Sequence, residues 1–389
     1  MTCRPLARFV LSCLVGAVVG GAAALAQPQR LHSAVLDEDR EYRVQLPESY
    51  GWAKDRRYPV LYLLDGQTHF SHTASSVAFL AAQGEIPEMI VVGIESTVRI
   101  RDFTPTDWPG RWVGGGGAAR FRRFLATELV PAIERAYRTD GYRVLSGHSA
   151  GGQFALHCLS AEPSLFQAYF ALAPSLDWDD NLPQRELEQA LRATDRLAAF
   201  LFLARSDDAG RALADYQAVV ATLMTTSPRG LRWQSRAFPE ETHGSLPLVA
   251  QIDALRALYF GYRFHDDLAE NGYEYAERHF ERVSRVVGHP IAIPEGVINS
   301  LGYAALARDA VPEAVELFER NVAANPYSAN AHDSLADGYA RAERWRDADA
   351  AADRAVALAT EFDHPDRAAF LEHAGKLRAR LEKESRSPE

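Results

Sequence analysis

A serine set between glycines places the first constraint on this chain. Gly147-His148-Ser149-Ala150-Gly151 follows the short apolar run Tyr142–Ser146 and precedes a helical stretch from Gly152 to Leu159. That is G-x-S-x-G in the context of strand, sharp turn and helix. The turn lifts a hydroxyl above the edge of a sheet and tolerates little beyond glycine on either side. The helix N-terminus then offers backbone amides, that of Ala150 among them, to a developing oxyanion. These residue types at this spacing point to Ser149 as a nucleophile.

The surrounding pattern supplies the sheet such a turn requires. Tyr42–Leu46 alternates, while Val60–Leu64, Met89–Ile94, Tyr142–Ser146, Ala168–Ala173 and Phe200–Ala204 are short and mostly apolar. Runs of that kind suit central strands buried on both faces. Helical patterns lie between several of them. The strongest is Ala118–Tyr137, with Phe121, Phe124, Leu125, Leu129 and Ile133 on one face and Pro131 as the expected kink. Strands alternating with helices predict an α/β fold with a mainly parallel sheet covered on both sides.

After Tyr262 no strand runs remain, and Ala, Glu and Arg dominate. At an offset of 34 residues, Ser300 matches Ser334, Leu301 matches Leu335, Ala314 matches Ala348 and Arg320 matches Arg354. Leu301-Gly302, Ala314, Phe318 and Pro326 resemble the spacing of the tetratricopeptide repeat. The second copy departs from it, with Ala336, Ala352 and Thr360 at the places of Gly302, Phe318 and Pro326. The expected organisation is a signal peptide over 1–26, a sheet domain over 27–262, a connecting helical segment over 263–290 and helical repeats over 291–384.

The signal reading rests on Arg4 and Arg8, the apolar stretch Phe9–Leu25, and the small-residue site Ala24-Leu25-Ala26. Cleavage there removes Cys3 and Cys13 and leaves Cys158, so the exported chain relies on its core and not on a disulfide. The full chain carries 42 Lys and Arg against 52 Asp and Glu. That acidic balance argues against a general nucleic-acid binder, which must neutralise phosphates.

A nucleophile elbow needs a base, and the expected chain order is Ser, acid, His. His243 lies in a polar loop, Phe238–Ser245, just before a helical stretch. A loop histidine at the carboxyl edge of a sheet is where a general base belongs. His265 and His279 fall in the helical tail, His157 lies inside a helix, and His148 flanks the nucleophile. His69 and His72 precede Ser149 and are candidates for the pocket wall. The orienting acid should follow the strand ending at Ala204, which favours Asp208, with Asp207 as the alternative. The second oxyanion donor is expected from an early loop. Leu63-Leu64-Asp65-Gly66-Gln67 ends a strand with a glycine, and the amide of Gln67 is the candidate.

These segments resemble the putative-esterase branch of the α/β-hydrolases, which includes enterochelin esterases, S-formylglutathione hydrolases and mycolyltransferases. Tyr58–Gly66 is similar to that branch's strand into the oxyanion loop, and Arg101-Asp102-Phe103-Thr104-Pro105 to a segment of its periplasmic, enterochelin-esterase-like members. Ser149 and Thr242-His243-Gly244-Ser245 match its nucleophile and base segments. The resemblance runs over roughly residues 31–262, and members with tetratricopeptide-like tails extend it further. It departs most at Ser206-Asp207-Asp208, where relatives often carry a small residue, Asn and Glu, so both aspartates stay open.

Other signals are weaker. Gly114–Gly117 lacks the Gly-Lys-Ser/Thr of a phosphate loop and does not follow a strand. No Cys/His cluster or His-Glu-x-x-His stretch suggests a metal. Arg99 and Arg101 either hold an anionic or polyphenolic group at the pocket mouth or pair with Asp102 or another acid. Trp108, Trp112 and Trp178 are expected to pack, and Cys158 to be buried.

The sequence thus predicts an exported, periplasmic or secreted serine esterase on an α/β-hydrolase fold, with a tetratricopeptide-like tail. Ser149, His243 and Asp208 form its triad, Gln67 and Ala150 its oxyanion hole, and no cofactor or metal is needed. The substrate is a small-molecule ester, siderophore esters among them, and nucleic acid is not a partner. An acyltransferase would use the same residues, and a scaffold would instead act through the tail on a protein partner.

Overall fold

The computed structural model describes residues 27–386 apart from 266–268 and 270; the export-signal reading over 1–26 lies outside the described residues. The strands are β1 (Gln29–Ser33), β2 (Glu38–Gln45), β3 (Tyr58–Leu63), β4 (Ile90–Ile94), β5 (Thr139–His148), β6 (Ala168–Leu172), β7 (Arg196–Arg205) and β8 (Arg229–Ala237). They form one sheet in the order β1-β2-β4-β3-β5-β6-β7-β8. From β4 to β8 every neighbouring pair is parallel, while β1 and β2 join antiparallel at one edge.

Strand periodicity builds two cores from this one sheet. Val60, Tyr62, Leu145, Tyr169, Leu201 and Leu203 point to one face, and Leu61, Val144, Phe170, Phe200 and Phe202 to the other. Helices cover both. The helices of the sheet domain are α1 (Gly66–Ala82), α2 (Arg99–Phe103), α3 (Ala118–Phe124), α4 (Val130–Ala136), α5 (Ala150–Ala161), α6 (Leu182–Arg192), α7 (Gly210–Thr226) and α8 (Leu246–Leu258). The first face receives α2 to α7, and the second receives α1 and α8. Burying both faces explains why the inner strands read as continuous apolar runs.

The two edge strands carry no such run. β1 and β8 are edge strands of mixed polarity, and in β8 only Leu231 is buried. The helix expected over Ala118–Tyr137 is present with a wider turn at its centre. Leu125–Leu129 forms a π turn between α3 and α4, just before Pro131. Proline has no N–H to donate and crowds the preceding turn, and a local change of helical pitch accommodates it.

Beyond β8 and α8 the chain is helical: α9 (Tyr273–Val287), α10 (Glu295–Ala307), α11 (Val311–Ala324), α12 (Ala329–Arg341), α13 (Trp345–Glu361) and α14 (Arg367–Arg386). The first of these belongs to the sheet's second core. Phe280, Val283 and Val287 pack with Tyr142, Leu258, Tyr259 and Tyr262. Polar ties reinforce the contact: His289 Nε2 lies 3.0 Å from Asp140, and Arg56 donates to Asn325 at 2.7 Å. The remaining helices share a core around Phe318. A side chain at Gly302 would reach within 2.4 Å of the Phe318 ring and one at Gly338 within 2.8 Å, so both glycines make room for it.

The last helix is tied by charge. His373 on α14 meets Asp333 at 2.7 Å and Asp337 at 3.3 Å, both on α12. Hydrogen bonds to Asp333 and then Asp337 push its pKa up to about 10. A raised histidine pKa gives stability that is fully present below the unfolded value of 6.5 and lost as pH rises through about 10. His373→Gln is therefore expected to lower the melting temperature at ~pH 6 and to change it little above ~pH 10. Equal losses at both pH values would contradict this reading.

Candidate active site

The parallel strands end on one edge, and each of the sequence-predicted segments emerges there. Ser149 follows β5 and starts α5. Its φ of 60° and ψ of −118° lie where a residue with a side chain is strained. Three backbone hydrogen bonds hold that conformation. Ser149 N donates to Leu172 O at 2.9 Å, and Ser149 O accepts from Gln153 N at 3.0 Å and Ser175 N at 3.1 Å. Space requires the first of the flanking glycines: a side chain at Gly147 would fall 2.2 Å from Gly151 O. The elbow expected from the sequence is therefore formed.

The candidate oxyanion loop runs between β3 and α1. Leu64 N donates to Ser146 O at 2.9 Å, which fastens it to β5 beside the elbow. Asp65 turns the chain with a φ of 53°. Gly66 then passes so close to β4 that a side chain there would lie 2.6 Å from Gly93 C and 2.8 Å from Ile94 N. Gln67 and Ala150 both stand in the first turn of a helix, where amides have no carbonyl partner within the helix. Gly66→Ala is expected to push Gln67 out of place and lower kcat roughly a hundredfold or more, read against a melting curve that confirms folding. Unchanged kcat in a folded variant would remove Gln67 from the oxyanion role.

Arg99 explains how the two loops keep their spacing. Its Nε donates to both carboxylate oxygens of Asp65 at 3.0 Å, and its Nη2 donates to His148 O at 2.9 Å. Arg101 pairs with Asp102 at 2.8 Å and Glu38 at 2.6 Å. Of the two roles expected for these arginines, the structure places both in ion pairs with acids.

His243 is exposed, at the end of the loop that enters α8. Its ring lies 4.6 Å from that of His148, centroid to centroid. The acid segment is joined to the base segment through the backbone, Asp207 N donating to Glu241 O at 3.0 Å. Asp208 turns its carboxylate back to accept from Ser206 N at 3.2 Å. Among the described residues, no hydrogen bond joins Ser149 Oγ to His243, or His243 to Asp207 or Asp208. Ser149 Oγ instead lies 3.5 Å from Ser175 Oγ.

Three further histidines line the same corner. His69 Nδ1 is 3.2 Å from His72 Nε2, and His69 meets His148 edge to face at 5.6 Å. Burial lowers the pKa of all three, most for His148, which falls to about 3, with His243 and His69 adding to the effect. Among the described residues, no group of three or more His, Cys, Asp or Glu is arranged to hold a metal ion.

Sequence reading did not find Ser175 or the Asp65–Arg99 brace. Ser175 follows the apolar run of β6, and the signal it offered was its place after the strand next to β5. Trp178 packs as expected, buried edge to face on Trp108 and donating to Thr106 Oγ1 at 3.1 Å; Trp112 stands exposed. The glycine loop is held by the Asp107 carboxylate, Gly114 N and Gly115 N donating to its Oδ1 at 2.9 and 3.1 Å.

The sheet order and the strained serine at the end of β5 define an α/β-hydrolase. The family described as "Putative esterase" matches residues 33–223. The ferri-bacillibactin esterase BesA of Bacillus subtilis (strain 168) is 32% identical over 252 residues, which are 57% of this chain and 85% of that protein. An IroE-like serine hydrolase from Shewanella oneidensis superposes with a TM-score of 0.67 at 32% identity, over 76% of this chain and 98% of its own. A protein from Capnocytophaga ochracea DSM 7271 shares the fold over 91% of this chain and 99% of its own, with a TM-score of 0.59 at 19% identity. The chain belongs to the putative esterase family of the α/β-hydrolases and is a carboxylic ester hydrolase.

Proposed function

We propose that this protein is an exported serine esterase that cleaves small-molecule esters, siderophore esters among them, through Ser149, His243 and an aspartate. The observation that carries the reading is the strained φ of 60° at Ser149, which presents its hydroxyl at the strand ends beside two loops with free helix-start amides. His243 takes the proton of Ser149 as Oγ attacks the ester carbonyl. The Ala150 and Gln67 amides hold the oxyanion, the alcohol leaves with the proton from His243, and water activated by His243 releases the acid. Asp208, or Asp207 in its place, orients the imidazole. Substrate binding has to bring the exposed His243 side chain within hydrogen-bonding distance of Ser149 Oγ while its loop stays in place.

The siderophore reading is supported by relatives that carry such names, BesA and an apo-salmochelin esterase from Escherichia coli. Export is supported by the basic and apolar pattern of residues 1–26. The tail is read as tetratricopeptide-like because Gly302 admits Phe318 at the repeat spacing, and its first role is to cover the sheet face that α9 seals. An acyltransferase would differ only in the acceptor. The test is hydrolysis of aryl esters of graded acyl length and of a catecholate trilactone, with and without a candidate alcohol. Turnover of the trilactone with release of free acid supports the reading. Turnover of short aryl esters without the trilactone removes the siderophore assignment, and acyl transfer to the alcohol removes hydrolysis as the main reaction.

A further inference from the structure

Three elements that carry the proposed catalytic groups meet behind Ser149 around a cavity of about 10 Å³. The end of β5 contributes Ser146, Gly147 and His148, immediately before the nucleophile. Helix α1 contributes His69, His72 and Thr73, within two turns of Gln67, and α8, which follows His243, contributes Pro247 and Gln251. The volume is close to the least that one water molecule needs.

Four buried polar atoms of these residues have no hydrogen-bond partner: His72 Nδ1, Thr73 Oγ1, His148 Nε2 and Gln251 Nε2. Thr73 and Gln251 are almost wholly buried. Ser146 Oγ donates to Gln251 Oε1 at 2.6 Å, which leaves the amide nitrogen of Gln251 as the free end. His72 uses Nε2 on His69, which leaves Nδ1. An unpaired buried polar atom is costly, and four beside one small cavity would cost several times as much. A water has two protons and two lone pairs, so one molecule can serve all four atoms.

We propose that this cavity binds a single structural water, and that the water locks α1, the β5 elbow and α8 together, making Thr73 and Gln251 positioning residues for the ester-cleaving groups. The positioning half rests on the assignment of Ser149 and His243; the water site itself does not. Gln251 donates to the water, while Thr73 and the two imidazoles take its remaining bonds. The bridge ties His148, whose ring lies against His243, to the helix that His243 precedes. It also ties both to the helix that begins with Gln67. Three loops that must hold their spacing while substrate binds are thus joined at their bases.

Thr73→Val and Thr73→Ser separate this from ordinary packing. Valine keeps the volume and removes the hydroxyl; serine keeps the hydroxyl and removes a methyl. With the water bound, Thr73→Val lowers the melting temperature by about 2–4 °C and lowers kcat on the best aryl ester roughly tenfold, with KM within about twofold. Thr73→Ser retains kcat. Without the water, valine removes an unsatisfied hydroxyl and the melting temperature stays or rises, which would overturn the proposal. A lowered melting temperature with unchanged kcat, or an equal loss of kcat in Thr73→Ser, would overturn the positioning role. A crystal structure of the full chain is expected to show density within hydrogen-bonding distance of Thr73 Oγ1 and Gln251 Nε2, and a dry cavity there would overturn the site whichever variants fold. Failure of Ser149 as the nucleophile would be seen separately, as unchanged esterase activity in Ser149→Ala.

Discussion

Replacing Ser149 with alanine is expected to lower turnover of a small aryl ester on the order of a million-fold while the chain stays folded. The two halves of that expectation have different causes. Turnover falls because the attacking oxygen is gone, and what remains is the slow reaction of water held near the oxyanion amides. Folding persists because the elbow is held by backbone atoms. The Ser149 N–H and carbonyl, bonded to Leu172, Gln153 and Ser175, are unchanged in alanine. The strained φ is equally costly for both residues, and the side-chain contact given up is a 3.5 Å approach to Ser175 Oγ. Circular dichroism and melting curves should superpose on those of the wild type. A folded variant that retained activity would remove Ser149 from the mechanism.

His243→Ala should cost nearly as much, again on the order of a million-fold in kcat, and combining it with Ser149→Ala should add little. A hydroxyl without its base is a weak nucleophile, so losing either partner disables the same step. Non-additivity is the informative part, since two residues acting separately would multiply their losses. The aspartates are decided in the same assay. Asp208→Asn and Asp207→Asn leave the fold intact, and the one that orients the imidazole should lose roughly ten-thousandfold while the other changes little. Small losses in both would mean that His243 works without an acid partner. Additive single losses at Ser149 and His243 would break the link between them.

The parts of this protein that sequence revealed are those fixed by local pattern. β3, β4, β6 and β7 are buried on both faces, so each leaves an apolar run. The elbow could be read because strand, turn and helix are contiguous, and because glycine at 147 is demanded by a neighbour four residues away. The edge strands were hidden for the converse reason: β8, with Arg229, Arg232, Gln234 and Arg236, has one solvent-facing edge and little apolar signal. Sheet order hid the rest. Ser175 approaches Ser149 because β6 lies beside β5, and Arg99 reaches Asp65 because β4 lies beside β3. No spacing along the chain encodes either contact. Adjacent aspartates at 207 and 208 defeat pattern altogether, since the loop conformation alone decides which carboxylate turns inward.

The helical tail shows the same division. Phe318 and Gly302 lie at repeat spacing and meet in space, while Gly338, which clears the other side of that ring, stands outside the matched positions. Packing of α9 on Tyr259 and Tyr262 could not be read from either segment alone.

The central claim is that Ser149 is an activated nucleophile served by His243, and covalent labelling tests it most directly. The full chain is treated with a fluorophosphonate and the modified peptide is identified by mass spectrometry. One adduct is expected on Ser149, absent in Ser149→Ala and formed far more slowly in His243→Ala. An adduct on another residue, or labelling of Ser149 at an unchanged rate in His243→Ala, would contradict it.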